Sequence, residues 1–101
     1  MKAEDLGGAK VVAQGLELLR VLVASKEPLP STEIARRMGL HQSTASRILK
    51  ALVAAGYARK PDYRSFAPDF GLLTLGGEAL RHFPLAEVPR TAITELAQRA
   101  N

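Results

Sequence analysis

The chain has 101 residues, the size of one domain. A chain this short buries only a modest share of its surface, so a partner or dimerisation is expected to add stability. Cysteine is absent, and this excludes a disulfide scaffold, a thiol nucleophile and cysteine-ligated metal sites. Hydrophobic residues make up 47% and charged residues 24%, as in a globular protein. With 14 Lys and Arg against 10 Asp and Glu, the net charge is +4, which favours an anionic partner.

The beginning of the chain does not have the pattern of a secretory signal. It carries Glu4 and Asp5 and a Gly7-Gly8 pair, and it lacks the unbroken apolar run of a secretory signal. Elsewhere, no stretch approaches the 18 apolar residues of a membrane span. We therefore expect a cytoplasmic protein that makes no use of a membrane, and a flexible N-terminus over residues 1–9.

Positive charge is concentrated in the middle of the chain. Between Arg36 and Arg64 lie seven basic residues and one acid, Asp62, whereas the remainder of the chain has a small excess of acids. Such segregation is typical of an electrostatic binding surface. The alternative is a solvated face that happens to be basic, and charge alone does not decide between them.

A first helix is predicted over residues 10–25. Gly15 inside it indicates a close helix contact, and Pro28 and Pro30 end the helical pattern. The apolar residues of this helix recur at three- and four-residue spacing and predict its apolar face: Val11, Val12, Leu16, Leu19, Leu22 and Val23.

Two further helices are predicted over residues 31–38 and 42–55. Gly39 stands where a left-handed residue ends the first of them, and Gly56 ends the second. Two helices joined by so tight a turn cross steeply, which is the signature of a helix-turn-helix. Their buried positions are expected to be Ile34, Ala35 and Met38 in one helix, and Ala45, Ile48, Leu49, Leu52 and Val53 in the other.

A β-hairpin is predicted next, with strands over residues 57–60 and 65–67. Pro61 and Asp62 suit the central positions of a type I turn between them. A hairpin directly after a helix-turn-helix is a wing. A helix over residues 68–83 then offers more apolar surface than one face needs, and a last helical segment is predicted over 87–101.

The outward face of the third helix has the composition of a DNA-reading surface. Gln can read adenine, Arg can bind guanine through two hydrogen bonds, and a helix N-terminus attracts phosphate. Residues 40–56 contain no acid, although acidic side chains normally stabilise the N-terminus of a helix. The alternative is an ordinary polar face. The predicted DNA contacts in and beside the helix-turn-helix are Thr32, His41, Gln42, Ser43, Thr44, Ser46, Arg47 and Lys50.

The wing adds Arg59, Lys60 and Arg64 to the predicted DNA contacts, since these cations could reach flanking phosphate. Their alternative role is to keep the hairpin soluble and to prevent edge-to-edge strand pairing. We predict no catalytic site, cofactor or metal. His41 and His82 share no metal-ligand spacing, and no nucleophile stands on a strand-turn-helix elbow.

The helix-turn-helix segments resemble those of IclR-type bacterial transcriptional regulators. The resemblance covers about residues 10–83, and its most specific part is a Ser-Thr-x-x-Arg-x-Leu core followed by Leu-x-x-x-Gly-Tyr. The similar segments are GLELL (15–19), LP (29–30), EIARRMGL (33–40), STASRIL (43–49) and LVAAGY (52–57). In one departure, the wing reads Lys60-Pro61-Asp62-Tyr63-Arg64, whereas the family often has an Asp-Gly turn there.

The resemblance implies a mainly α fold with a small β-wing: a winged helix-turn-helix of three helices plus a hairpin, then a linker helix and a partial C-terminal helix. It implies a homodimer on operator or promoter double-stranded DNA, with Ser43, Thr44 and Arg47 in the recognition helix. A repressor is our expectation, with activation as the alternative. Dimerisation would use helix one and the linker helix, with Val12, Leu16, Leu19, Phe70, Leu73 and Leu80 as candidates.

The same resemblance divides the chain into parts. Residues 10–67 would be the DNA-binding domain, residues 68–83 the linker and dimerisation helix, and residues 84–101 the start of a truncated effector domain. A small-molecule effector would act only through the rest of that domain, which this chain lacks, whether the chain is a fragment of a longer regulator or a stand-alone short form. A winged helix that docks a protein partner is the alternative function, supported by the apolar residues 70–83. RNA binding is less favoured, since only Tyr57 and Tyr63 could stack on bases.

Overall fold

A computed structural model describes residues 8–87 and 89–91 of the chain. The described residues form a winged helix-turn-helix, which confirms the predicted mainly α fold. In chain order the elements are α1 (Lys10–Ala24), β1 (Leu29–Pro30), α2 (Ser31–Met38), α3 (Gln42–Ala55), β2 (Ala58–Arg59), β3 (Ser65–Pro68) and α4 (Phe70–Leu80), followed by a 3-10 turn at Leu85–Glu87. Most of the predicted flexible N-terminus and most of the predicted helix over 87–101 lie outside the described residues.

The core lies between α1, α2, α3 and the sheet. Leu18, Leu22, Ile34 and Leu49 are its largest fully buried side chains. The predicted core stripes of α2 and α3 are largely confirmed, although Leu52 is only half-buried and Val53 is 36% exposed.

Most of the predicted apolar face of α1 does not face the core. The core takes Leu18 and Leu22, whereas Val11, Val12, Leu16 and Val23 are exposed. Apolar residues surround much of this helix, so periodicity alone did not select the side that meets the core. The exposed remainder forms a second apolar surface.

Both predicted glycine turns are present, and the same motif builds them. Gly39 has φ +67° and Gly56 has φ +88°, in the left-handed region that glycine tolerates. After α2, the Leu40 N–H donates to the carbonyl of Ala35 at 2.9 Å. After α3, the Tyr57 N–H donates to the carbonyl of Leu52 at 2.9 Å. These are Schellman motifs, and they end each helix at the residue where its glycine predicts the end.

The sheet has a strand that the sequence analysis missed. Its order is β1-β3-β2, all antiparallel, with Leu29 opposite Phe66 and Arg59 opposite Ala67. β1 is a two-residue edge strand that contains Pro30, a residue that usually argues against a strand. Only the fold places this segment at the edge of the sheet beside β3. At a sheet edge, the backbone N–H that Pro30 lacks costs little stability.

The loop between β2 and β3, residues 60–64, is longer than predicted, and we call it the wing loop. β2 and β3 pair at Ala58 with Pro68 and at Arg59 with Ala67, so the ladder stops well before Pro61 and Asp62. The predicted strand over residues 57–60 is therefore reduced to Ala58–Arg59. A tight type I turn at Pro61-Asp62 would require a different register, and the loop is closed instead by hydrogen bonds that the Asp62 carboxylate accepts.

The last long helix, α4, begins at Phe70 rather than at the predicted Pro68, because Pro68 belongs to β3. Asp69 caps it by accepting a hydrogen bond from the Phe70 N–H at 2.7 Å. The Gly71 N–H donates to the carbonyl of Gly56 at 3.0 Å and joins α4 to the end of α3. A Cβ at Gly71 would clash with the Gly56 carbonyl oxygen and lie 2.9 Å from its carbonyl carbon. Glycine is therefore needed there.

Candidate nucleic-acid interface

A polar groove of about 480 Å³ runs between α3, the start of α2 and the wing loop. It brings together predicted DNA contacts that are far apart in the chain, from α2, α3 and the wing. We call this surface the polar groove. Its lining residues are Pro30, Ser31, Thr32, Gln42, Ser46, Lys50, Val53, Lys60, Tyr63, Arg64 and Phe66.

The remaining predicted contacts on α3 lie outside the polar groove. Ser43 and Arg47 are exposed, Thr44 is half-buried, and His41 is exposed at the N-cap position. Arg47 lies on the other flank of the helix, where it borders an apolar groove. The predicted residues of α3 therefore span a broad outward arc from Gln42 to Arg47.

The N-terminus of α3 is open to an anion. Its first turn contains no acid, and within the described residues no side chain caps it. The first N–H groups of a helix carry a partial positive charge and need an acceptor from outside the helix. A phosphate oxygen would satisfy them.

One hydrogen bond connects the two helices of the motif at this end. The Gln42 Nε2 donates to the Ser31 Oγ at 3.4 Å, so the side chain of Gln42 is held beside the start of α2. Ser31 is not among the predicted DNA contacts. A hydroxyl at the first position of α2 was the available signal, because a helix-turn-helix places the starts of its two helices close together.

The two basic residues of α2 are engaged by an acid. The Glu33 carboxylate accepts hydrogen bonds from Arg36 at 2.6 and 3.0 Å and from Arg37 at 2.7 Å. The hydrogen bond from Arg36, followed by that from Arg37, lowers the pKa of Glu33 to about 2. The positive potential available to a partner therefore comes mainly from α3 and the wing.

The wing cations divide between two places. Lys60 and Arg64 line the polar groove, and the Lys60 Nζ lies 5.2 Å from the centroid of the Phe66 ring, in a cation–π contact. The Arg59 Nε instead donates to the carbonyl of Pro68 at 3.2 Å, beside Phe70. The structure thus separates Arg59 from the other two.

A second groove, of about 630 Å³, lies on the other side of α3, between α1 and α4. We call it the apolar groove. Three predicted dimerisation residues, Val12, Leu16 and Leu19, line it. The other three, Phe70, Leu73 and Leu80, are exposed on α4 outside this groove. Its complete lining is Val11, Val12, Gly15, Leu16, Leu19, Arg47, Ile48, Ala51, Leu52, Tyr57, Leu72 and Leu75.

The described ranges 8–87 and 89–91 contain neither a candidate metal site nor a candidate membrane-spanning helix. There, no group of three or more His, Asp or Glu side chains is arranged to hold a metal ion. No helix in that part of the chain is long and apolar enough to cross a membrane.

Comparison with known proteins connects this architecture to one family. The profile of the IclR helix-turn-helix domain matches residues 11–62. The HTH-type transcriptional regulator Rv1719 of Mycobacterium tuberculosis is 48% identical over 60 residues, which cover 54% of this chain and 23% of that protein.

Solved structures agree with the sequence matches. The IclR family transcriptional regulator from Brucella abortus superimposes with a TM-score of 0.65 and 36% identity, over 71% of this chain and 28% of that one. A transcriptional regulator from Alicyclobacillus acidocaldarius superimposes with a TM-score of 0.64 and 30% identity, over 68% of this chain and 28% of that one. The chain thus spans less than a third of the length of each of these relatives. Its helix-turn-helix shows that the chain belongs to the IclR family of transcriptional regulators, as a DNA-binding domain.

Proposed function

We propose that this chain binds operator or promoter double-stranded DNA sequence-specifically, as a homodimer, with α3 in the major groove. The polar groove carries the proposal. It joins an acid-free, uncapped helix start to the cations of α3 and the wing. A major groove admits an α-helix, and phosphates on either side of it would meet the surrounding cations.

The proposed roles follow from side-chain type and position. Base edges would be read by Gln42, Ser43, Ser46 and Arg47, which occupy the first two turns of α3. Phosphate would be contacted by Thr32, His41, Thr44, Lys50, Lys60 and Arg64 around them. Arg59 would contribute least, because its guanidinium already donates to the carbonyl of Pro68.

The arrangement of charge favours DNA over a protein partner at this surface. Glu33 engages Arg36 and Arg37 on α2, whereas no acid lies on α3. A surface for another protein gains nothing from keeping acids off one helix. A surface for phosphate does, because each acid would repel the ligand.

The homodimer would form through the apolar groove and the exposed face of α4. Leu16 is 62% and Val12 61% exposed, and α4 has no buried residue. A second copy would remove this apolar surface from water. In a two-fold dimer, two copies of α3 enter successive major grooves about 34–36 Å apart, or a multiple of that distance.

The proposed regulator acts in the cytoplasm as a repressor. Occupying a promoter is enough for repression, whereas activation also requires a contact with RNA polymerase. The proposed DNA surface meets the first requirement without any further site. A reporter with the selected operator across its promoter tests this, and higher expression with the protein than without it would contradict repression.

The first experiment selects binding sites from a random duplex pool and then measures affinity by fluorescence anisotropy at several salt concentrations. We expect a two-fold site that binds at least about a thousandfold more tightly than scrambled duplex. Affinity equal for selected and scrambled duplexes would contradict sequence-specific reading.

A matched pair of lysine variants locates the phosphate contacts. Lys50→Ala should make the slope of log K against log salt concentration shallower by about 0.9 for each protomer, because one phosphate contact is lost. Lys26→Ala removes the same charge from an exposed lysine that lines neither groove, and it should leave that dependence unchanged. Equal effects of the two variants would mean that the polar groove is not the DNA surface.

A further inference from the structure

The wing loop contains the one acid of the basic segment, and this acid is fully engaged with the loop itself. The Asp62 Oδ1 accepts hydrogen bonds from the backbone N–H of Arg64 at 2.8 Å and of Ser65 at 3.0 Å. Its Oδ2 accepts from the Ser65 hydroxyl at 2.9 Å. The carboxylate thus spans the turn that carries Tyr63 and Arg64.

These hydrogen bonds join a loop without strand pairing to a fixed point in the sheet. Ser65 is 8% exposed and lies opposite Pro30 in the β1–β3 ladder. The ladder between β2 and β3 stops at Arg59 and Ala67. Besides the contact of Lys60 with Phe66, Asp62 therefore supplies the hydrogen bonds that hold the loop where strand pairing does not reach.

The residues held in this way line the polar groove. Tyr63 is 84% exposed and Arg64 is exposed, yet both lie on the groove with Lys60. An exposed aromatic side chain gains little from folding, whereas a ring presented on a fixed loop can stack on or wedge against nucleic acid.

Simple electrostatics gives Asp62 the opposite role. It is the single acid between Arg36 and Arg64, and a carboxylate beside a phosphate-binding surface repels DNA. Asp62 would then weaken DNA binding, and its removal would strengthen it. The two roles therefore predict opposite changes in DNA affinity when the Asp62 side chain is removed.

We propose that Asp62 is a positioning residue for DNA recognition, which holds the wing loop so that Tyr63 and Arg64 meet the duplex. This inference rests on the proposed function and deepens it. The geometry of the carboxylate matters here, and its charge does not. An asparagine can therefore replace it, with its Oδ1 accepting from both N–H groups and its Nδ2 donating to the Ser65 hydroxyl oxygen.

The test compares Asp62→Ala with Asp62→Asn on the selected duplex. We expect Asp62→Ala to weaken binding on the order of tenfold, because about one loop residue must then be ordered upon binding. Asp62→Asn should bind at least as tightly as the parent. Hydroxyl-radical footprints should lose only the protection flanking the recognition site in Asp62→Ala. Equal or tighter binding by Asp62→Ala than by Asp62→Asn overturns the proposal.

Amide hydrogen exchange on the parent and both variants separates this proposal from the proposed function. The N–H groups of Arg64 and Ser65 should be protected in the parent and in Asp62→Asn, and they should exchange faster in Asp62→Ala. Unprotected amides in a parent that binds DNA overturn the role of Asp62 alone. Protected amides in a parent that binds no duplex overturn the proposed function and the recognition role together.

Discussion

The two grooves that flank α3 are similar in size and different in chemistry. The polar groove, about 480 Å³, holds hydroxyl, amide and cationic side chains from α2, α3 and the wing beside the apolar Pro30, Val53 and Phe66. The apolar groove, about 630 Å³, is lined almost entirely by aliphatic side chains from α1, α3 and α4. One helix therefore presents two surfaces that suit two different partners.

This difference shows how one small domain can couple assembly to recognition. Lys50 faces one groove and Ile48 the other, and Arg47 borders the apolar groove while it remains exposed. In the proposed dimer, a rigid helix shared by both surfaces would place the proposed DNA-reading side chains at a distance set by the dimer interface. Substitutions in each groove test whether the two surfaces are independent in chemistry and coupled in geometry.

The largest effect is expected from shortening Leu16 in the apolar groove. Leu16→Ala would remove apolar surface from both halves of the proposed two-fold interface, so dimerisation should weaken by about 3 kcal/mol, on the order of 100-fold. Sedimentation equilibrium measures this directly. Val23→Ala is the control, because Val23 is 49% exposed but lines neither groove. A dimer unaffected by Leu16→Ala would mean that its interface lies elsewhere.

Next in size is a glycine substitution that disturbs one wall of the apolar groove. Gly71→Ala places a Cβ against the Gly56 backbone, and such overpacking should lower the free energy of unfolding by about 2 kcal/mol. Urea unfolding of the variant measures the change.

Gly15→Ala is the matched control for Gly71→Ala. Its Cβ would lie 3.8 Å from the Ile48 Cγ2, an ordinary contact, so better helix propensity should stabilise the protein by about 0.5–1 kcal/mol. The predicted close helix contact at Gly15 is thus present, but it leaves room for a methyl group. If both alanine variants changed the free energy of unfolding in the same direction, the packing described at Gly71 would be contradicted.

A smaller effect is expected on the DNA surface. Arg47→Ala should weaken binding to the selected site by about 1–2 kcal/mol and relax specificity at one base pair, if Arg47 binds a guanine. Affinity for duplexes varied at single positions gives both quantities. Arg36→Ala is the control, since Glu33 already engages that guanidinium. Uniform weakening on all sequences would make Arg47 a phosphate contact instead.

The smallest effect concerns pH and the acid of α2. The folded-state pKa of Glu33 is about 2, below its ordinary value of 4.5. Because a depressed carboxyl pKa stabilises the folded state above the ordinary value, this contribution should disappear as the pH falls from about 4.5 to about 2.

Glu33→Gln tests this, with urea midpoints measured at pH 6 and at pH 3. The variant should lose less stability on acidification than the parent, by a small amount that added salt reduces, because the ion pairs with Arg36 and Arg37 are exposed. An acid dependence identical to that of the parent would show that these ion pairs contribute nothing measurable.

Local signals in the sequence predicted the recognition motif well. The bounds of α2 and α3 were predicted to the residue, because Gly39 and Gly56 end their helices through contacts only a few residues long. The sequence also predicted Lys60 and Arg64 on a wing directly after α3, and both lie on the wing, where they line the polar groove. The family resemblance was confirmed through the same segments.

Only the tertiary structure decided which surfaces meet. It selected Leu18 and Leu22 as the core face of α1, paired Leu29–Pro30 with β3, turned Arg59 toward Pro68 and made Gly71 indispensable. Each of these depends on a partner far away in the sequence. Helix periodicity and turn residues report what a segment does with its neighbours, whereas burial, edge pairing and close backbone contact depend on atoms that only folding brings near.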